Sequence, residues 1–272
     1  MDHHGRGYCE RVTRAAAFFD LDKTILATSS ALAFTRPFYR GGLISRSDVV
    51  RSAYAQFIFL ASGADHDQME TMRRYMSSLV TGWDVAKVQE IVGETLDQII
   101  DPAIYEEAVA LIEDHRAHGR DVIIISSSGT EVVEPIGARL GVDLAVGTQL
   151  EVIDGRYSGE ILFYAYGEGK AQAMRDLAAE RGYDLSASYA YTDSITDLPM
   201  LEIVGHPTAV NPDAELRRIA TERSWPVLDF RRPVGMRQGI PPERRRAVAL
   251  ASAGVAVTAV ALGLAWYARR RR

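Results

Sequence analysis

The sequence predicts an α/β fold: a parallel sheet interrupted after its first strand by an all-helical insertion. Three observations predict it. A short apolar run at 15–19 ends on Asp20, as expected of a buried strand that delivers a carboxylate at its end. Helical periodicity then fills roughly the next 70 residues. From 101 onward, apolar runs alternate with helical segments, which indicates a Rossmann-like sheet covered on both faces.

The insertion is predicted to be helical because its apolar residues recur three and four positions apart. In the segment 46–61, for example, Val50, Tyr54 and Phe57 fall on one face. An insertion at this point of an α/β fold commonly lies over the active site as a cap. The predicted helices span 31–40, 46–61, 65–80 and 84–100.

The second part of the core begins with a helix and a continuous β-branched run, typical of a central strand. A hairpin is expected around Asp154-Gly155, a dipeptide that favours a tight turn. The predicted strands span 122–125, 150–153, 156–162, 189–192, 208–210 and 227–230. The predicted helices between them span 105–118, 130–140, 170–181, 198–204 and 213–222.

These elements divide the chain into segments. We expect a flexible N-terminus at 1–14 and a helical cap at 29–100. The α/β core takes the remainder of the folded part, as two pieces at 15–28 and 101–230. Pro, Gly and Arg mark 231–246 as a linker.

The C-terminal region carries a separate signal. The 21 residues 247–267 hold no charge and are flanked by arginines, as expected of a helix that crosses a bilayer. The alternative is an Ala-rich helix packed on a soluble core. The first interpretation predicts a transmembrane helix followed by a basic tail at 268–272, and therefore a single-pass membrane protein. The polar N-terminus has no apolar run typical of a secretory signal, which favours a folded body in the cytoplasm. Arginines at both ends leave the orientation open.

Bulk composition excludes some classes of protein. The formal net charge of −5 argues against a general nucleic-acid binder, which needs a basic face to replace counterions. One cysteine, Cys9, cannot form an intramolecular disulfide, so a reducing compartment fits. The oligomeric state cannot be read from these residues.

Polar and charged residues that could take part in catalysis lie at the ends of predicted strands or the starts of predicted helices. The first strand is followed by Asp20-Leu21-Asp22-Lys23-Thr24, where an open parallel sheet places its ligand crevice. Individually, each later candidate has an ordinary explanation as a helix cap, a solvated lysine or a turn residue. Their common placement at strand ends and helix starts predicts one site. The later candidates, in chain order, are Ser126, Lys170, Asp193 and Asp197.

This ordered set resembles the haloacid dehalogenase (HAD) superfamily of phosphatases, in subfamily IB, the branch with a helical insertion that contains phosphoserine phosphatase. The resemblance covers about 15–230 and includes four motifs in order. It implies an Mg²⁺-dependent phosphomonoesterase that forms an aspartyl-phosphate. The implied catalytic residues are Asp20, the nucleophile, and Asp22, the general acid and base.

The resemblance also implies binding roles. Ser126 and Lys170 are implied to bind the phosphoryl group, and Asp197 to orient Lys170 or a metal-bound water. Thr24 is implied to fix the loop after Asp22. The implied ligands of Mg²⁺ are Asp20, Asp22 through its backbone carbonyl, and Asp193.

Two departures leave the substrate open. Ser29 stands where phosphoserine phosphatases carry a substrate-recognising glutamate, and Ser127-Ser128 replace the glycines that follow the second-motif serine. The main expectation is a small phosphorylated metabolite, with phosphoserine the first candidate. One alternative is a lipid-linked phosphate such as a lysophospholipid. The other is an inactive membrane-anchored interaction module, against which the intact set of catalytic residues argues.

Overall fold

A computed structural model of the protein describes residues 14–45, 74 and 77–233. The predicted helix at 46–61, most of the one at 65–80 and nearly all of the predicted linker lie outside these ranges. The predicted transmembrane segment at 247–267 and the basic tail lie outside them as well.

Seven strands form one sheet in the order β4-β3-β2-β1-β5-β6-β7. Neighbouring strands are parallel, except that β4 runs antiparallel to β3. This is the mostly parallel α/β sheet that the sequence predicts, with the first strand at its centre. The strands are β1 (Ala16–Phe19), β2 (Asp121–Gly129), β3 (Leu144–Ile153), β4 (Arg156–Phe163), β5 (Tyr189–Thr192), β6 (His206–Val210) and β7 (Val227–Leu228).

Helices connect the strands. The α-helices are α1 (Ser30–Arg40), α2 (Val85–Thr95), α3 (Glu106–Ala117), α4 (Thr130–Leu140), α5 (Glu168–Arg181), α6 (Leu198–Glu202) and α7 (Ala214–Glu222). Of these, α1 and α2 lie in the predicted insertion between β1 and β2. The helix predicted at 84–100 is α-helical only to Thr95, continues as the π-helical turn Leu96–Ile100, and ends in the 3₁₀ turn Asp101–Ala103. Pro102 lacks a backbone N–H, which is consistent with the helix ending there.

The core lies on both faces of the sheet, which explains why the central strands are continuously apolar. Phe18 and Phe19 point to opposite faces because side chains alternate along a strand. Each belongs to a different buried cluster, Phe18 with Ile123 and Phe19 with Ile124. Full burial of one such aromatic side chain stabilises the fold by about 1.5–3 kcal/mol.

The β3–β4 hairpin turns at the predicted residues, where Asp154 and Gly155 have φ values of 51° and 76°. These left-handed values match the two-residue turn that Asp-Gly favours. Strand β3 begins at Leu144, although the sequence predicted 150. Its first half pairs with β2, and its second half pairs with β4. The early part was missed because Gly147-Thr148-Gln149 interrupts the apolar pattern.

The predicted membrane localisation requires a correction. Within the ranges described above, no helix is both long enough and apolar enough to cross a bilayer. The localisation and the expected membrane partner are contradicted by this finding and are withdrawn. They had been inferred from segment 247–267, which lies outside the described residues.

Candidate active site

Two aspartates lie at the same edge of the sheet because they follow neighbouring parallel strands. Asp20 comes directly after β1, and its backbone N–H donates to the carbonyl oxygen of Tyr191 in β5 at 2.9 Å. Asp193 comes directly after β5. Ligands of open α/β sheets bind at this carboxyl edge. The side chains of Asp20 and Asp193 are both buried, and Asp20 is 5% exposed.

A buried lysine joins this edge from the first turn of α5. The Nζ atom of Lys170 donates to Oδ1 of Asp20 at 2.5 Å and to Oδ2 of Asp197 at 2.6 Å. The hydroxyl of Thr192 donates to the same Asp197 oxygen at 2.7 Å. Lys170 is 2% exposed, so both ion pairs are shielded from water. Asp197 thus fixes Lys170 from one side while Asp20 contacts it from the other.

The pKa directions show how these charges oppose one another. Burial raises the pKa of Asp20, and the Lys170 ammonium opposes that rise. Burial alone disfavours a charged lysine, but Asp197 and Asp20 outweigh it and raise the pKa of Lys170. Lys170 therefore stays protonated at neutral pH.

Asp193 has a weaker cationic neighbour. Burial raises its pKa to about 6, partly opposed by Lys23, whose Nζ lies 3.8 Å from Oδ2 of Asp193. The Lys23 side chain is largely exposed, and its backbone is left-handed with φ of 57°. Asp20, Asp193 and Asp197 thus share one buried ammonium, and this part of the molecule is short of positive charge.

Asp22 faces the start of α1. Its Oδ1 accepts the backbone N–H of Ser30 at 2.9 Å, and its Oδ2 accepts the Ser30 hydroxyl at 3.2 Å. Burial raises the pKa of Asp22, and hydrogen bonds from Ser30 and Ser29 oppose that rise. The loop turns tightly because the N–H groups of Ile25 and Leu26 both donate to the carbonyl of Leu21.

Ser126 and Thr24 are both buried polar residues at this edge. The hydroxyl of Ser126 accepts the backbone N–H of Ser128 at 3.2 Å. The hydroxyl of Thr24 has no hydrogen-bond partner within the described part of the chain. The hydrogen bonds that close the loop around Thr24 come from the backbone and not from its hydroxyl. The predicted role of the Thr24 side chain in fixing the loop therefore stays a prediction.

Thr192 and Ser30 were not singled out from the sequence, and Ser128 was noted only as a departure from the family pattern, without a contact. Thr192 supports Asp197, Ser30 holds Asp22, and the Ser128 hydroxyl lies 2.6 Å from the Ser30 hydroxyl. The available signals were local: Ser29-Ser30 stands where a helix cap is expected, and Thr192 is the last residue before Asp193. Residues that are far apart in sequence have no characteristic spacing that would predict a hydrogen bond between their side chains. These contacts could therefore be identified only from the three-dimensional structure.

Comparison with known proteins agrees with this geometry. The family model of haloacid dehalogenase-like hydrolases matches residues 17–202. The chain is 60% identical to "Inhibition of morphological differentiation protein" of Streptomyces azureus, over 95% of both chains. It is 37% identical to phosphoserine phosphatase SerB1 of Mycobacterium tuberculosis, over 91% of this chain and 80% of that one.

Two further proteins extend the comparison. The chain is 31% identical to a histidinol-phosphatase of Neisseria meningitidis, over 79% of this chain and 98% of that one. A crystal structure of a protein of unknown function from Bordetella pertussis aligns with a TM-score of 0.71 at 29% identity, over 80% of this chain and 99% of that one. The fold, the matched residues and these relatives together place the chain in the haloacid dehalogenase-like hydrolase family, as one of its phosphatases.

Proposed function

We propose that this phosphatase hydrolyses phosphate monoesters through a phosphoryl group carried on Asp20. The observation that supports this most is the contact of the Asp20 carboxylate with the Lys170 ammonium at 2.5 Å. A phosphate monoester is dianionic near neutral pH, so a carboxylate can approach its phosphorus atom only where positive charge lies beside it. Lys170 supplies one such charge, and Asp197 holds it in place.

Two transfers complete the reaction. In the first, an Asp20 carboxylate oxygen bonds to phosphorus as the bond to the alcohol oxygen breaks, and the carboxylic acid of Asp22 gives its proton to that oxygen. In the second, water gives a proton to Asp22 and bonds to phosphorus as the bond to Asp20 breaks. The products are the alcohol and inorganic phosphate, and both aspartates return to their starting forms.

The remaining residues bind and orient in this proposal. The buried hydroxyl of Ser126 and the ammonium of Lys170 face the phosphoryl oxygens. Asp197 orients Lys170, with which it makes an ion pair. Thr24 contributes a buried hydroxyl beside the loop that carries Asp20 and Asp22.

The shortage of positive charge fits a divalent cation. The described residues contain no group of three or more His, Cys, Asp and Glu side chains able to enclose a metal. A site for Mg²⁺ needs fewer, because this ion keeps several waters and binds through one or two carboxylates. Asp20 and Asp193 would supply these, with the backbone carbonyl of Asp22. When bound, Mg²⁺ would neutralise charge on the phosphoryl group.

Binding of Mg²⁺ can be measured without turnover. At about 100 times its dissociation constant, Mg²⁺ should stabilise the wild-type protein by roughly 2.7 kcal/mol, seen as a rise in Tm. Asp193→Asn should lose most of that rise. The exposed turn variant Asp154→Asn, matched in chemistry, should keep it. Equal shifts in all three proteins would contradict this assignment of the ligands.

The substrate class is a small phosphate monoester of an alcohol. Relatives named phosphoserine phosphatase and histidinol-phosphatase support it. Ser29, which stands where phosphoserine phosphatases carry a glutamate, keeps phosphoserine one candidate among several. A lipid-linked substrate loses the support that it drew from the membrane localisation.

The deciding experiment combines activity with detection of the intermediate. Asp20→Asn should lower phosphate release from p-nitrophenyl phosphate by about 10⁴-fold or more. Rapid acid quenching of the wild type with radiolabelled substrate should trap label on Asp20, and Asp20→Asn should carry none. Asp154→Asn serves as the control that keeps activity. Persistent activity in Asp20→Asn would disprove the mechanism. Parallel assays with phosphoserine, histidinol phosphate and sugar phosphates would then rank substrates.

A further inference from the structure

The carboxyl group of Asp22 takes the place of a helix cap. Ser29 precedes α1 as its N-cap residue, yet its side chain makes no capping hydrogen bond. The backbone N–H of Ser30 donates instead to Oδ1 of Asp22 at 2.9 Å. The first amides of a helix need such acceptors. The start of α1 and the general acid of the proposed reaction are therefore joined directly.

The Ser30 hydroxyl adds a second, different contact. It lies 3.2 Å from Oδ2 of Asp22 and 2.6 Å from the hydroxyl of Ser128. The N–H of Ser128 in turn donates to the hydroxyl of Ser126. A chain of hydrogen bonds thus runs from Asp22 to the serine proposed to bind phosphate. Ser30 is 1% exposed, so water has little access to replace its hydroxyl.

A serine hydroxyl has one proton to donate and lone pairs to accept with. Ser30 can therefore donate to an Asp22 carboxylate while it accepts from Ser128. When Asp22 is the carboxylic acid with its proton on Oδ1, the Ser30 hydroxyl can still donate to Oδ2, and the acid proton stays available to the leaving alcohol. Both protonation states use the same heavy-atom positions, so the pair of hydroxyls holds the carboxyl group in one orientation throughout the reaction.

We propose that Ser30 is a positioning residue that orients the carboxyl group of Asp22 toward the leaving alcohol, with Ser128 supporting it. The inference rests on the proposed function, since it needs Asp22 to transfer a proton. When the Ser30 hydroxyl is absent, Oδ2 of Asp22 loses its 3.2 Å contact, and the carboxyl group is left with the Ser30 backbone N–H and the side chain of Ser29, which allow it to turn. A displacement of about 1 Å at a reacting group can cost roughly 100-fold in rate.

Dependence on the leaving group distinguishes this role from a structural one. Phenolate is a poorer leaving group than p-nitrophenolate and so depends more on protonation by Asp22. The ratio kcat/KM covers the reaction up to departure of the alcohol, whichever transfer limits turnover. In Ser30→Ala, kcat/KM should fall about tenfold for phenyl phosphate and about threefold or less for p-nitrophenyl phosphate. The Ser30 backbone N–H and the fold are retained.

A control variant distinguishes the proposed role of the Ser30 hydroxyl from the general effect of removing a buried, hydrogen-bonded serine hydroxyl. Ser188 also has a buried hydroxyl, which accepts from the N–H of Ala16 at 3.0 Å and donates to the carbonyl of Asp184 at 2.7 Å. Ser188→Ala should leave the ratio of the two kcat/KM values unchanged. Ser128→Ala should shift the ratio in the same direction as Ser30→Ala, by about twofold.

The outcomes are separable. Equal loss on both substrates, or no loss on either, in Ser30→Ala and Ser128→Ala would overturn the inference. If Asp20→Asn is inactive on both substrates, that result leaves the proposed function standing. Activity in Asp20→Asn would instead remove the proposed function, and with it the premise of the inference.

Discussion

The amino and carboxyl ends of the parallel strands form two edges of the sheet, and the charged side chains at these two edges are paired differently. At the edge where β2 begins, both oxygens of Asp121 accept from Arg14 at 3.0 Å, and one also accepts from the Tyr183 hydroxyl at 2.6 Å. At the opposite edge, the buried Asp20 and Asp197 both contact Lys170, and the buried Asp193 lies beside the largely exposed Lys23. The first edge is satisfied by its own residues. The second holds more carboxylates than buried cations, which is the imbalance on which the proposed Mg²⁺ site rests.

The polar atoms of His115, like those of Asp121, are satisfied by neighbouring residues. It lies near the end of α3, buried, with Nδ1 accepting from Arg120 at 3.1 Å. Its Nε2 therefore carries the proton and donates to the Tyr191 hydroxyl at 2.7 Å. Burial lowers the pKa of His115 to about 4, with Arg120 acting in the same direction. The neutral ring is thus the form that the fold accommodates.

The comparison is tested most strongly by removing Lys170, the one buried Lys or Arg within residues 14–45, 74 and 77–233. Lys170→Met leaves Asp20 and Asp197 buried without their partner, and should lower the free energy of unfolding by about 3 kcal/mol as well as abolish activity. Urea unfolding in EDTA measures the stability. The matched control Arg14→Met removes a half-exposed cation from the other edge and should cost at most about 1 kcal/mol. Similar losses in the two variants would contradict the distinction between the edges.

A second test uses pH. The folded-state pKa of His115, about 4, lies below the ordinary 6.5, so the folded protein binds fewer protons in this window. The contribution of neutral His115 to the free energy of unfolding is therefore fully present above pH 6.5 and is lost as the pH falls toward 4. Near pH 5 the loss from this residue is about 2 kcal/mol. His115→Gln should reduce the pH dependence of urea unfolding by that amount. Parallel pH curves for the two proteins would show that His115 is not the cause.

The smallest expected effect contrasts two aspartate-to-asparagine changes. Asp121→Asn weakens bonds to Arg14 and Tyr183 and should cost about 1 kcal/mol, with full phosphatase activity. Asp20→Asn removes one charge from a crowded negative group, so its unfolding free energy in EDTA should be unchanged or higher, although activity is lost. Circular dichroism during urea unfolding measures both. A lower free energy of unfolding in Asp20→Asn would contradict this expectation. It would mean that the folded protein is stabilised by the ion pairs of Lys170 with both Asp20 and Asp197.

Much of the fold was predictable because its signals are local. The run of 15–19 ending on Asp20 became the central strand, and Asp154-Gly155 became the hairpin turn. Elements defined by long-range pairing were harder. The first half of β3 is a strand because β2 lies beside it, and no apolar alternation marks 144–149. The helix after Asp84 changes to a π-helical turn at Leu96 without a sequence signal that we recognised.

The sequence by itself determined which chemical groups are available and that they lie toward one edge of the sheet, although Ser126 lies within β2, which runs to Gly129, and Lys170 lies in the first turn of α5. It placed Asp20, Ser126, Lys170 and Asp193 in order, because the carboxyl ends of parallel strands share one edge. Only the tertiary structure decided how these groups meet: that Lys170 lies between Asp20 and Asp197, and that Ser30 holds Asp22. The reason is physical. Strand ends follow from local apolar runs, whereas contacts of a few ångströms between distant side chains depend on packing of the whole core.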